Sequence, residues 1–197
     1  MRRPFRFGTA RSDMRREWIA MKQSVKKVAF LLADGYEDSE MKNPYDAIVE
    51  NGDDPVIISL RKEDELKGKK GTITYVSHLA ASEANASDYE AVIIPGGGSP
   101  AKLREDPAVL EFVRKAHERG IPIAAICHGP QVLASAGVLR GKTLTGYSGI
   151  KDEIQEAGGT FVDREVVVDD NLITSRGPQD EPVFIKETID KLGVSAY

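Results

Sequence analysis

Cysteine is nearly absent: the chain of 197 residues holds one, Cys127. A lone cysteine excludes an intramolecular disulfide and suits a reducing, cytoplasmic interior. Histidine is almost as scarce, and His78, His117 and His128 beside a single thiol do not compose a zinc site. No apolar run approaches the roughly 20 residues that span a bilayer, and the N-terminus lacks the apolar stretch of a secretory signal. There is no internal repeat, low-complexity tract or interdomain linker. What remains is ordinary for a globular protein, 41% hydrophobic and 29% charged. The length fits one domain with a sizeable core.

Positive charge is also scarce outside one segment. The net charge is −4, yet residues 1–24 hold six Arg and one Lys against Asp13 and Glu17, a balance of +5. The remaining residues therefore carry −9, which argues against a nucleic-acid-binding surface on the core. We read 1–24 as a basic N-terminal extension and 25–197 as a single domain. The extension is loosely like a transit peptide, but Asp13-Met-Arg-Arg-Glu17 weakens that reading, and Met21 is itself a natural start for the domain. An ordered basic arm needs a surface to receive it. Phe5, Phe7, Trp18 or Ile19 is the expected anchor, against the acidic domain or a neighbouring subunit.

Strand and helix signals alternate along the domain. Lys26–Leu32 reads as a first buried strand, followed by a loop over 33–39. A helix is expected over Glu40–Glu50, with Tyr45, Ile48 and Val49 facing the core and Pro44 bending or delaying its first turn. Pro55–Leu60 is a second strand, 61–71 a charged solvated loop, and Thr72–Val76 a further strand at an edge. Ala91–Ile94 is buried strand. Asp106-Pro107 caps a helix reaching about Arg119 that places Val109, Leu110, Val113 and Ala116 on one face. Thr143–Thr145 is a short strand and Ile150–Ala157 a short helix. Glu165–Val168 and Leu172–Thr174 flank a hairpin turn, and Pro182–Leu192 is the last helix. The alternation predicts an α/β fold with a mostly parallel sheet covered on both faces.

The stretch that organises the chain is Ile121-Pro-Ile-Ala-Ala-Ile-Cys-His-Gly-Pro130. An apolar strand ends abruptly at Cys127, and Pro130 opens a helix, where its missing N–H is harmless. A cysteine on such a turn meets free helix N–H groups that can stabilise a thiolate, the logic of a nucleophile elbow. The plain alternative is a buried cysteine acting as a small hydrophobe, and the turn residues favour the reactive reading. In parallel sheets ligands bind beyond the strand carboxyl ends. Three loops lie there, around Glu37–Glu40, at Gly96–Ser99 and at Cys127–Gly129. Attack by sulfur on a carbonyl creates an oxyanion. The N–H of His128 is one candidate donor, and that of Gly97 or Gly98 a second. On the residues alone, the His128 ring either serves as base or acid or points elsewhere. A carboxylate beside the thiolate would raise both groups by repulsion, so a glutamate there would be protonated and able to donate to sulfur.

Ala125-Ile-Cys-His-Gly-Pro-Gln-Val-Leu133, continuing through Ser135-Ala-Gly-Val-Leu-Arg-Gly141, resembles the nucleophile motif of the DJ/PfpI superfamily. Ile94-Pro-Gly-Gly-Gly98, Tyr147-Ser-Gly-Ile-Lys-Asp152 and Ile173-Thr-Ser-Arg-Gly-Pro178 fit the same pattern. The likeness spans about 26–193 and is closest to the PfpI-type branch of intracellular peptidases, glyoxalases and deglycases. It implies a flavodoxin-like three-layer sandwich of the class I glutamine amidotransferase kind, no cofactor, and a homo-oligomer, dimer or larger. It also implies roles: Cys127 as nucleophile, His128 as its neighbour, Glu40 as the protonated glutamate on sulfur, Gly97 in the oxyanion hole and Tyr147 lining the pocket. One departure stands out. Peptidase-type members place an acidic residue where this chain has Ala101, so a Cys-His-acid triad lacks its third member unless Glu105 or another carboxylate substitutes. The expected function is therefore cysteine-dependent chemistry on a small carbonyl such as methylglyoxal, or on glycated proteins or nucleotides. An intracellular cysteine peptidase is the alternative, and a redox-sensing stress protein or chaperone a further one.

Overall fold

Successive residues of the central strands belong to opposite cores. Val28, Phe30 and Leu32 pack into one and Ala29 and Leu31 into the other; Ile93 and Ala124 fall with the first set, Ile94 and Ala125 with the second. Strands apolar on both faces are stable only in a sheet covered on both sides. The computed structural model describes residues 10–194 and forms that sheet. In chain order it contains α1 (Ala10–Ser24), β1 (Lys27–Leu31), α2 (Asp38–Glu50), β2 (Asp54–Ser59), β3 (Glu65–Lys67), β4 (Thr74–Val76) and β5 (Leu79–Ala80). Then come β6 (Ala91–Ile94), α3 (Ser99–Leu103), α4 (Pro107–Arg119), β7 (Ile123–Ile126), α5 (Pro130–Ala136), β8 (Thr143–Leu144) and α6 (Lys151–Glu156). The chain closes with β9 (Thr160–Phe161), β10 (Val167–Asp169), β11 (Leu172–Ser175) and α7 (Glu181–Val194).

Seven strands form the main sheet in the order β10-β11-β7-β6-β1-β2-β5. Every pair is parallel except β10 with β11, the expected hairpin. α2 and α7 cover one face through Met41, Ile48, Phe184 and Leu192. α4, α5 and α6 cover the other through Val109, Val113, Leu133 and Ile154. The result is the three-layer flavodoxin-like sandwich. From β1 the chain moves outward to β2 on one side, and later through β6 to β7 on the other. The order therefore reverses between β1 and β6, and a crevice opens beyond their carboxyl ends.

Several expectations need correction. Val49 is half exposed, and Met41 and Pro44 take the buried face of α2 instead. That helix starts at Asp38, earlier than expected, so Pro44 lies inside it, as expected, without delaying its first turn. Residues 61–71 are not all loop: β3 pairs antiparallel with β4 in a hairpin apart from the main sheet. The sheet edge falls instead to β5. Of the anchors expected for the basic arm, Trp18 is 57% exposed, while Phe5, Phe7 and the Ile19 side chain lie outside the described residues.

Candidate functional site

Three strand ends meet at one cleft of about 880 Å³, as the sequence predicted. From the end of β7, Cys127 stands on the turn into α5 with φ of 61°, a left-handed conformation that costs a cysteine energy. The N–H of Cys127 donates to Ser175 O and its carbonyl accepts from Tyr147 N, at 3.0 and 2.8 Å. The surroundings thus hold the strained turn in place. From the end of β6 comes Gly96. A methyl group on its Cα would lie 2.5 Å from Glu40 Oε1 and 2.8 Å from Cys127 Cβ, so only glycine lets these two approach. Gly97 has φ of 77°, and a side chain there would strike Glu37 N at 2.4 Å. From beyond β1, α2 delivers Glu40, wholly buried, whose Oε1 accepts from Gly96 N at 2.9 Å and whose Oε2 has no partner.

Burial raises the Glu40 carboxyl to about 8, against the Gly96 hydrogen bond that lowers it. It is therefore mostly protonated at neutral pH, and Oε2 is where the proton fits. Burial first, and Glu40 second, also raise Cys127, to about 12, while hydrogen bonds from the N–H groups of Gly97 and His128 pull it down. The two groups face each other across Gly96, so like charge keeps one of them protonated through the physiological range. The donors expected at the elbow are present, but burial outweighs them and favours the thiol over the thiolate. A base must take its proton. His128 Nδ1 lies 3.3 Å from Cys127 Sγ, and burial together with the Lys69 charge lowers this histidine, leaving it neutral. Tyr147, itself 45% exposed, stacks on the imidazole with ring centroids 4.5 Å apart. The open question of the His128 ring is resolved: it faces the sulfur.

The match that decides kinship is to the DJ-1/PfpI family, over residues 26–191. The chain belongs to that family. "Protein/nucleic acid deglycase 2" of Escherichia coli is 41% identical over 169 residues, covering 85% of this chain and 98% of that one. "General stress protein 18" of Bacillus subtilis is 41% identical over 83% of this chain and 96% of its own. A two-domain protein of Anabaena variabilis with DJ-1/ThiJ/PfpI-like and ferritin-like domains superposes with a TM-score of 0.84 at 40% identity. That alignment covers 85% of this chain and 48% of the larger protein, so the chain spans about half of it. Relatives of this DJ-1/PfpI chain thus carry deglycase and stress-protein names.

Not every expected group joins the site. Gly98 lines the cleft, but its N–H donates to Gly35 O at 2.7 Å, whereas the N–H of Gly97 points to the Cys127 sulfur. Ala101 and Glu105 are exposed, and neither lines the cleft. Two charged groups escaped the sequence reading. Lys69, on the turn between β3 and β4, forms an ion pair with Glu37 at 2.7 Å. Arg176 grips Asp180 with Nε and a terminal nitrogen at 2.8 and 2.9 Å and reaches Asp163 at 3.0 Å. Glycines on either side of Lys69-Lys70, at 68 and 71, were the available signal for the turn. Nothing local marked it as part of the cleft, because its contacts come from Tyr36 and Asp38: Lys69 N donates to Tyr36 O, and Lys70 N to Asp38 Oδ2.

Proposed function

We propose that the chain is a cysteine-dependent stress-protection enzyme acting on reactive carbonyls, or on their adducts with amines of proteins or nucleotides. The carrying observation is the meeting of Cys127 with a neutral base and a buried protonated carboxyl, in a cleft where no carboxylate among the described residues orients that base. Sγ adds to the carbonyl carbon: the S–C bond forms, the π pair moves to oxygen and the thiol proton passes to His128 Nδ1. The N–H groups of Gly97 and His128, already on the sulfur, are the nearest donors to the oxyanion. With a glycated amine the C–N bond breaks as S–C forms, and the proton on His128 goes to the departing amine. Expelling an amide nitrogen demands more of the base, and among the described residues the His128 ring meets Cys127 and the Tyr147 ring, with no carboxylate on it. That favours carbonyl chemistry over peptide hydrolysis.

Methylglyoxal consumption by the wild type and by Cys127→Ala tests the proposal. The expected loss is more than about a hundredfold, and equal rates would remove Cys127 from the reaction. The unpartnered Glu40 Oε2 supports a second, compatible reading, in which its proton stabilises oxygen placed on an oxidised sulfur. Mass spectrometry after mild peroxide decides it, and an unmodified Cys127 rules it out.

A further inference from the structure

Among the described residues two cations, Lys69 and Arg176, line the cleft, and acids hold both. Lys69 Nζ sits 2.7 Å from Glu37 Oε2. Arg176 is bound by Asp180 through two nitrogens and by Asp163 through a third. Glu37 is the more confined member of the first pair, its side chain 13% exposed against 55% for Lys69. A carboxylate in so dry a place keeps its counter-ion more firmly than one in open water. Its backbone is fixed as well, since Glu37 N donates at 3.2 Å to the carbonyl of Gly96, the same glycine that separates Glu40 from Cys127. Lys69 is the cation tied electrostatically to the site, acting on Cys127, Glu40 and His128.

We propose that Glu37 sets the substrate class of the cleft: by occupying Lys69 it leaves no cation free for an anion, so the site takes uncharged dicarbonyls and rejects carbonyl compounds that bear a carboxylate. The proposal refines the carbonyl reading above. A carboxylate entering the cleft must either displace Glu37 from Lys69 or sit beside Glu37 unpaired, and both cost binding energy. Glyoxylate and methylglyoxal share a reactive aldehyde and differ in the neighbouring group, a carboxylate in one and an acetyl in the other. Wild type therefore favours methylglyoxal.

The test uses Glu37→Gln, which keeps the shape and frees Lys69, and the double variant Glu37→Gln/Lys69→Met, which removes the freed cation. The ratio of kcat/KM for glyoxylate to that for methylglyoxal should rise about two- to fivefold in the single variant, in keeping with one partly exposed ion pair. It should fall back in the double variant. A second readout needs no turnover: alkylation of Cys127 by iodoacetate, an anion, relative to iodoacetamide, which is neutral. In each reagent the S–C bond forms as C–I breaks, so only charge separates them. The alkylation ratio should move in parallel. An unchanged ratio in Glu37→Gln, or a gain that survives loss of Lys69, overturns the proposal. Because alkylation reports the gate without catalysis, failure of methylglyoxal turnover with the gate intact would sink only the carbonyl-enzyme reading.

Discussion

Glu40 is a carboxyl group buried with only one of its oxygens satisfied, and such a group acts on the whole fold. Unfolded, it releases its proton near its ordinary value of 4.5; folded, it holds the proton to about 8. Below the lower value it leaves the fold unpenalised. As pH rises toward the upper value the unfolded chain is increasingly favoured, so stability declines across that window. The slope from one such group is at most about 1.4 kcal/mol per pH unit. Glu40→Gln removes the titrating proton while keeping the shape. Urea unfolding between pH 5 and 8 should therefore give a flatter stability profile for the variant than for wild type. Parallel profiles would mean that Glu40 is ionised in the native protein at neutral pH.

Among the elements, α4 shows the shortest path from sequence to structure. Asp106 caps it as expected, its side chain accepting from Ala108 N at 2.8 Å. Val109, Val113 and Ala116 are fully buried, with Phe112 in place of the partly exposed Leu110 beside them. Asp106→Ala leaves the orphaned N–H groups to water and should cost about 1 kcal/mol, measured by denaturant unfolding. The β7–α5 elbow was equally legible, because an apolar run ending in Cys-His-Gly-Pro dictates both the strand's end and the helix's start. The β3–β4 hairpin was not. Its first strand has three residues and one buried side chain, Leu66, too little for a period of two to emerge from charged neighbours. Its role in the cleft depends on Tyr36, whose hydroxyl donates to Leu66 O and Ile73 O. The site was therefore readable where one short segment carries both geometry and chemistry, and unreadable where tertiary hydrogen bonds bring in Lys69.

For the whole molecule the separation of charge is the first consideration. The buried apolar side chains lie between Val28 and Leu192, and the family match begins at residue 26. Among the described residues α1 adds exposed Met14 and Trp18 and no buried side chain. A chain lacking residues 1–24 should keep its methylglyoxal activity within about twofold and melt within about 2 °C of the full chain, which calorimetry and the same assay check. A larger loss would show that the basic arm packs on the −9 domain after all.

The main sheet has a second consequence, for how copies of the chain can meet. One border is β5, two residues long, and the other is β10, three residues ending in Asp169. Borders so short offer a passing strand little to template on, which guards against runaway edge-to-edge aggregation. The homo-oligomer proposed from the family resemblance is therefore left to helical faces and loops, and is not expected to run one continuous sheet through two molecules.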